Sequence, residues 1–310
     1  MLGWIASAGV IGVVGVLFAR TLAANWEQVV DLQISLNGWS FAAVGIFAVA
    51  VPVTGVLWWQ MLRMLTPTRV DLLDAIAVQC LSWVLKYVPG QVGSVANKLL
   101  WANRRGVEKS LVAITFVYEN AFLLVASIVP ATAILLASLR PEVFLDNAAS
   151  LLLPVLALLP LAVIANPRWF HWLASQLGRR ALKREVPPEY FLSSRQGILL
   201  QVEFVLPRVL NGIGFLFTAF SVMTLDPSAW LPLAAAYVLA GAIGILAVFV
   251  PSGLGVREAV IVLIAAQYMS TAEAVVLALL SRLFATAADL LVAGIYALIR
   301  LIERTKGSAS

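Results

Sequence analysis

The sequence predicts an all-α polytopic membrane protein, with six transmembrane helices and two broken re-entrant helical hairpins in an inverted-topology repeat. Three observations predict this fold class. The 310-residue chain is 62% hydrophobic and 12% charged, with a mean hydropathy of +0.96, whereas soluble domains are about half apolar and a quarter charged. Its apolar runs reach the roughly 20 residues that a bilayer crossing needs. Two of these runs are interrupted by proline and glycine beside charged residues.

Six apolar runs are predicted to cross the membrane, at residues 3–20, 38–60, 110–138, 149–165, 196–224 and 272–300. The first run has no basic region before it and no clear cleavage site. We therefore interpret it as a retained helix rather than as a signal peptide. The whole chain, 1–310, is then a single transmembrane domain, whose repeat halves are about 1–140 and 141–310.

Two further apolar segments are predicted to enter the membrane and turn back. Segment 74–103 is broken at Pro89-Gly90, and segment 230–269 is broken at residues 251–255. Their arms are marginal in length for a full crossing, which favours re-entrant hairpins. Proline removes a backbone donor and glycine permits close approach of other groups. The helix that resumes after each break would present unpaired N–H groups, which are a ready site for an anion such as phosphate.

The distribution of lysine and arginine predicts the orientation of the chain. Of its 21 basic residues, 14 fall in segments that this scheme assigns to the cytoplasm, and only Arg20 and Arg140 fall outside. The 14 are Arg63, Arg69, Arg104, Arg105, Lys109, Arg168, Arg179, Arg180, Lys183, Arg184, Arg195, Arg300, Arg304 and Lys306. The positive-inside rule then places both termini in the cytoplasm. The two halves contain the same order of elements from opposite sides, which is the pattern of an inverted repeat.

Charged residues inside the apolar segments indicate an interior polar path, because a charge at the bilayer centre costs at least about 2.5–3.5 kcal/mol. Glu119 lies 29 residues after Gly90, and Arg282 lies 29 residues after Gly253, so equivalent positions would have opposite charges. The planar guanidinium of arginine binds phosphate in a bidentate manner. This favours a phosphate held by arginines and balanced by carboxylates; the alternative is that the buried charges only pair with each other.

Two sets of candidate site residues follow. The candidate substrate-binding residues are Lys86, Tyr87, Gly90, Gly93, Lys98, Arg208, Asn211, Gly253, Gly255, Arg257 and Arg282. The candidate residues for charge balance or proton transfer, two roles that the sequence does not separate, are Glu119, Glu203, Glu258 and Asp289.

Other chemistry is weakly represented in the sequence. The single cysteine, Cys80, excludes an internal disulfide, and His171 is the only histidine. No metal-ligand spacing, nucleotide-binding glycine pattern or nucleophile–base set is present. We therefore predict no enzymatic activity, no catalytic residue, no metal, no cofactor and no nucleic-acid partner. The tryptophans, Trp58 and Trp101 among them, lie near predicted helix ends and are interpreted as aromatic belts.

Two motifs resemble a known family. One is residues 86–90, KYVPG, followed by Arg104-Arg105 and then Glu119; the other is residues 251–258, PSGLGVRE, followed by Arg282. Together they resemble the transmembrane region of lysylphosphatidylglycerol synthases, also called the flippase-like family, over nearly the whole chain. The resemblance implies lipid translocation. Because the chain stops at Ser310, it also implies translocation without the lipid aminoacylation of the bifunctional members.

The function predicted on this basis is an inner-membrane lipid translocase, or flippase, in a bacterial or archaeal plasma membrane. Its substrate would be a lipid with an anionic or phosphate-containing headgroup, such as a phospholipid or a polyprenyl-phosphate-linked glycan. Expected partners are membrane lipids, and a lipid-modifying synthase or glycosyltransferase is a further candidate. The alternatives are a secondary transporter of a small soluble anion and an intramembrane lipid-modifying enzyme. A lateral opening between helices favours the flippase, and a sealed pocket favours the solute carrier.

Overall fold

Helices form the fold throughout the part of the chain that the structure describes. This computed structural model describes residues 36–87, 92–138, 187–246 and 255–307, and no β-strand occurs in these ranges. The α-helices of these ranges are, in chain order, α1 Gly38–Leu65, α2 Leu72–Val84, α3 Val92–Arg105, α4 Lys109–Ser138, α5 Ser194–Glu203, α6 Val205–Phe220, α7 Pro227–Leu246, α8 Val256–Ala265 and α9 Thr271–Gly307. The predicted crossings 3–20 and 149–165 lie outside the described residues.

Five helical stretches in the described ranges are long and apolar enough to cross a membrane, namely Gly38–Leu65, Lys109–Ser138, Ser194–Phe220, Pro227–Leu246 and Thr271–Thr305. The protein is therefore an all-α polytopic membrane protein, as predicted. Four of the five stretches coincide with predicted crossings. The fifth is α7, the first arm of the second predicted hairpin. At 20 residues α7 is long enough to cross, so its length does not distinguish a re-entrant arm from a crossing.

Local signals in the sequence explain where several of these helices begin and break. The side chain of Asn37 caps α1 by accepting hydrogen bonds from the N–H groups of Trp39 and Ser40. Asn37 also donates to the carbonyl of Ser221 at 2.8 Å, which joins the start of α1 to the end of α6. The helix from Ser194 to Phe220 is interrupted at Phe204. Pro207 contributes to this break because it has no N–H for the carbonyl of Glu203.

Helices α2 and α3 form an antiparallel hairpin. The indole of Trp101 donates to Asp74 at 2.8 Å, and the amide of Asn97 donates to the carbonyl of Val78 at 3.1 Å. Nearer the break, the hydroxyl of Ser94 donates to the carbonyl of Ser82. The start of α2 and the end of α3 therefore lie together. The segment therefore forms a helical hairpin, as predicted. The 13 residues of α2 extend about 20 Å, which is less than the bilayer core of about 30 Å, and its re-entrant placement in the membrane stays a prediction.

The contacts between helices occur in matched sets. Helix α2 packs against α1, and α7 packs against α6. Helix α9 packs against α2, and α4 packs against α7. Helices α3 and α8 pack on their neighbours in sequence, α4 and α9, while α1 and α6 pack directly on each other. These contacts match when α1 is taken to correspond to α6, α2 to α7, α3 to α8 and α4 to α9. Each contact then has a counterpart in the other half of the chain, and the contact between α1 and α6 corresponds to itself.

The contact between α1 and α6 is very close at Gly214, where an added Cβ would lie 2.7 Å from Cε1 of Phe47. We expect Gly214→Ala to lower the free energy of unfolding by about 1–3 kcal/mol, because the buried ring or the helices must shift. Gly45→Ala on α1 is the control, since an added Cβ there has no atom within 4 Å. Unfolding of the purified protein in mixed detergent micelles measures both, and equal losses in the two variants would contradict this contact.

Candidate functional site

The first buried charged cluster joins α3 to α4. The ammonium of Lys98, which is 1% exposed, forms an ion pair with the buried carboxylate of Glu119. The amide of Gln79 donates to the other oxygen of Glu119 at 2.6 Å. The ring of Trp58 lies 4.4 Å from the Lys98 ammonium, and its indole N–H donates to Thr115 at 3.1 Å. The charges in this cluster are compensated by each other.

A second cluster joins the end of the first hairpin to α9. Lys86 lies in the 3-10 turn Leu85–Tyr87 that follows α2, and its ammonium is 2.8 Å from Oδ2 of Asp289. The indole of Trp83 donates to Oδ1 of Asp289 at 2.7 Å, and the Lys86 ammonium lies 4.1 Å from the centre of the Trp83 ring. This ion pair fixes the residues just before the first break to the last long helix.

A third cluster lies at the ends of α2, α3 and α9. The carboxylate of Asp74, buried near the start of α2, is 2.8 Å from the guanidinium of Arg105 and 2.7 Å from that of Arg300. It also accepts the hydrogen bond from Trp101 that closes the first hairpin. Two guanidinium groups and one indole N–H therefore contact the single carboxylate of Asp74. Helix α9 thus forms ion pairs at two levels of the first arm of the hairpin, through Arg300 with Asp74 of α2 and through Asp289 with Lys86 of the turn that follows α2.

The start of α8 is capped by a carboxylate of its own first turn. Gly255 has a φ of 83°, a conformation that favours glycine, and its N–H donates to Oε2 of Glu258 at 2.6 Å. Oε1 of Glu258 lies 3.7 Å from Nη1 of Arg282 on α9. An anion that binds at this helix terminus would therefore compete with the Glu258 carboxylate for the same donors.

Arg208 and Arg257 differ from the other interior cations in their lack of an ion-pair partner among the described residues. Arg208 is 7% exposed, and its buried Nε has no hydrogen-bond partner within the described residues. Its Nη1 faces Gly241, where an added Cβ would lie 3.9 Å away. The guanidinium of Arg257 lies 5.2 Å from the centre of the Tyr237 ring. In the described ranges neither arginine lies within ion-pair distance of a carboxylate.

The interior cations act on one another through their charges. Arg257 and Arg282 lie near enough to repel the charge of Lys86; Arg257 also repels that of Arg208, which the carboxylate of Glu119 attracts from beyond ion-pair distance. Three carboxylates, those of Glu119, Glu258 and Asp289, are matched by Lys98, Arg282 and Lys86 respectively. Among the described residues, the guanidinium groups of Arg208 and Arg257 remain without such a match. Arg208 on α6 and Arg257 on α8 are therefore two guanidinium groups without an ion-pair partner in the described ranges.

The remaining predicted site residues are distributed as follows. Gly90 and Gly253 lie outside the described residues, and Tyr87 is described only through its backbone. Gly93, in the first turn of α3, and Asn211, on α6, are half-buried. Glu203 lies apart from the ion pairs described above and accepts a hydrogen bond from the amide of Gln60 at 3.2 Å. Within the described ranges no group of three His, Cys, Asp or Glu side chains could hold a metal ion.

Sequence reasoning missed several residues that complete these clusters. Gln79, Trp83 and Tyr237 contact the predicted charges but occupy unremarkable apolar runs. The interpretation of Trp58 and Trp101 as belt residues is wrong, because both are buried and donate to polar partners. A signal was present for Trp101, since it lies four residues before the charged helix end at Arg105, on the same helical face.

One known family matches this chain. A family model described as the lysylphosphatidylglycerol synthase TM region matches residues 4–293. The chain belongs to this family. The part that matches the lysylphosphatidylglycerol synthase TM region includes segments 74–103 and 230–269 and the three interior ion pairs, whereas Arg300 lies beyond it. A search of curated proteins found no match to the chain.

Membership of the lysylphosphatidylglycerol synthase TM family confirms the resemblance of the two motifs. It makes the protein a multi-pass membrane domain of a family associated with lipid-related functions. The match covers nearly the whole chain and includes the charged clusters at Glu119, Asp289 and Glu258.

Proposed function

We propose that the protein is a lipid translocase that moves a lipid with an anionic, phosphate-containing headgroup across the inner membrane of a bacterium or archaeon. The observation that supports this most directly is the pair Arg208 and Arg257, two interior arginines without a carboxylate partner in the described residues. The headgroup passes through the protein interior, and the acyl or prenyl tails stay in the surrounding lipid. The protein itself performs no bond chemistry.

Phosphate suits these arginines for physical reasons. A guanidinium stays charged in an apolar interior and offers its donors in a planar fork that matches phosphate oxygens. Arg208 and Arg257 lie on different helices, α6 and α8, so a phosphate between them would bridge two elements. Arg257 also lies in the first turn of α8, where the helix dipole favours an anion. Glu258 occupies this terminus until the phosphate binds and displaces it.

An inverted-topology repeat, with halves of about 1–140 and 141–310, is part of the proposal. It is supported by the matched helix contacts, in which α4 on α7 corresponds to α9 on α2. The ion pairs also exchange sign: the helix after the first break supplies the cation Lys98 to Glu119, and the helix after the second supplies the anion Glu258 to Arg282. Repeats of this kind place a substrate site near the bilayer midplane, between broken helices that enter from opposite sides.

A lipid is favoured over a small soluble anion because the family has lipid-related functions. The soluble anion carrier uses the same arginines and therefore remains the second candidate. A lipid-modifying synthase or glycosyltransferase is the proposed protein partner, since such an enzyme would supply the lipid to be moved or modify it after transfer.

Reconstitution tests the proposed function. The purified protein is placed in phosphatidylcholine vesicles that contain fluorescent lipids with identical tails and different headgroups: phosphatidylcholine, phosphatidylglycerol, phosphatidic acid or a polyprenyl phosphate. A membrane-impermeant reductant then reports how fast the inner-leaflet probe becomes accessible. We expect faster exchange for at least one anionic headgroup than in protein-free vesicles. Uptake of radioactive inorganic phosphate, with no lipid exchange, would instead support the soluble anion carrier.

The proposed orientation predicts which loops face the cytoplasm. We expect Ser228→Cys, at the exposed start of α7, to react with a membrane-impermeant maleimide in intact cells. Ser194→Cys, at the exposed start of α5, should react only after permeabilisation. The native Cys80 is fully buried and gives a low background. Labelling of Ser194→Cys in intact cells would reverse the orientation, and equal labelling of both sites before permeabilisation would contradict their opposite sidedness.

A further inference from the structure

The aromatic ring of Tyr237 on α7 lies against the guanidinium of Arg257. The centre of the ring is 5.2 Å from Cζ of Arg257, a distance at which the face of an aromatic ring attracts a cation. Tyr237 is 5% exposed and lies inside the stretch Pro227–Leu246, which is long and apolar enough to cross a membrane. Because Arg257 has no ion pair in the described ranges, this ring is the group there that stabilises its charge.

The ring of Tyr237 is itself fixed by aromatic packing. It stacks on Phe215 of α6, with the ring centroids 4.9 Å apart and the ring planes 22° apart. Phe47 of α1 contributes a second aromatic contact at a centroid distance of 5.3 Å. Both phenylalanines are buried, so the tyrosine ring cannot turn away from Arg257 without displacing closely packed neighbours. The position of the ring is therefore determined by α1 and α6 and not by Arg257.

The same face of α7 also meets Arg208. Gly241 is four residues after Tyr237, one helical turn away on the same face, and a Cβ added there would lie 3.9 Å from Nη1 of Arg208. Helix α7 packs against both α6, which contains Arg208, and α8, which contains Arg257. The two guanidinium groups therefore meet neighbouring turns of one helix face. Such turns are about 5.4 Å apart, a spacing that suits two guanidinium groups on one phosphate.

We infer that Tyr237 is a positioning residue of the proposed phosphate site, whose ring holds the Arg257 guanidinium beside the face of α7 that Arg208 also meets. This inference rests on the proposed function, since it assigns a role within the same site. Two like charges repel each other when no anion lies between them, and a long arginine side chain has many rotamers in which to move away. The ring opposes this movement, so Arg257 loses less side-chain entropy when the headgroup binds. Tyr237 thus acts on the headgroup through Arg257.

Lipid exchange in phosphatidylcholine vesicles, at equal amounts of correctly inserted protein, tests this role. The probe is whichever of fluorescent phosphatidylglycerol, phosphatidic acid and polyprenyl phosphate the wild type exchanges fastest. We expect Tyr237→Leu to lower the rate at low probe fraction about three- to tenfold, through loss of one cation–π contact, and to leave the rate at saturating probe unchanged, because binding alone is weakened. Tyr237→Phe keeps the ring and should match the wild type. Tyr296→Leu is the matched control and should also match it, since its ring lies 5.5 Å from an Arg300 guanidinium that carboxylates already hold.

A double-mutant cycle with Arg257 distinguishes positioning from a structural role for Tyr237. If the ring acts through the guanidinium, Tyr237→Leu should lower the rate no further once Arg257→Ala is present. Additive losses in the double variant would overturn the inference, as would a wild-type rate in Tyr237→Leu. Tyr237→Met, an unbranched side chain without a ring, repeats the test if the leucine variant does not fold. Absence of exchange of all three anionic probes by the wild type would overturn the proposed function, and the role of Tyr237 with it.

Discussion

Arg208→Ala is expected to slow exchange of the anionic lipid probe by about 10–100-fold, because each hydrogen bond to a charged group contributes about 1.5–3 kcal/mol. The expected loss concerns binding of the headgroup and not the fold, since the Arg208 guanidinium has no carboxylate partner in the described residues whose charge would be left unpaired. The measurement is the initial rate of probe exchange in proteoliposomes, at equal amounts of correctly inserted protein.

Two comparisons make this result specific. Arg208→Lys keeps the charge but loses the planar fork, so its rate should fall between those of the wild type and Arg208→Ala. Arg195→Ala removes an exposed arginine from the start of α5 and should exchange at the wild-type rate. Wild-type rates and headgroup preference in Arg208→Ala would remove this arginine from the proposed phosphate site. A large loss in Arg195→Ala would indicate a general effect of positive charge instead.

Lys98→Met is expected to lower the free energy of unfolding by about 3–5 kcal/mol, because removal of one partner leaves a buried charge without compensation. The charge left behind is that of Glu119, which is 5% exposed and would keep only the hydrogen bond from Gln79. Unfolding in mixed detergent micelles measures the change. The same measurement on the double variant Lys98→Met, Glu119→Leu should recover much of the loss, since no unpaired charge remains.

The control for this experiment lies on the same helix as Glu119. Lys109→Met removes an exposed lysine at the start of α4 and should change stability by less than about 0.5 kcal/mol, as is usual for surface substitutions. A double variant as unstable as Lys98→Met would show that the lysine stabilises the fold through packing against Trp58 and not through its charge. Such a result would contradict a stabilising role for the ion pair with Glu119.

The fold could be predicted to a large extent from apolar length and from the positions of proline and glycine. These local signals predicted four of the crossings that the structure describes and the helical hairpin of segment 74–103. They were weaker for α7, because 20 apolar residues suit both a hairpin arm and a crossing. The kink at Phe204 was also local in origin, since Pro207 removes the donor that would have continued the helix.

The pairing of the buried charges could not be predicted in the same way. Lys98 and Glu119 are 21 residues apart, and Lys86 and Asp289 are 203 residues apart. Which carboxylate meets which cation depends on the packing of α3 against α4 and of α9 against the first hairpin, for which the sequence has no local signal. The equal spacing of Glu119 and Arg282 from the two breaks indicated related places in the two halves. It did not indicate that each residue has a partner on the helix that follows its own break.

The two ion pairs that join α9 to α2 and to the turn after α2 restrict how the first hairpin can move. One attachment, at Lys86 and Asp289, would allow α2 to pivot, and the second, at Asp74 and Arg300, removes that freedom. Sliding of α2 along α9, or rotation about its own axis, would therefore break at least one of these ion pairs. Any opening of the first hairpin that leaves these pairs intact must therefore carry α9, and with it Arg282, through the same displacement.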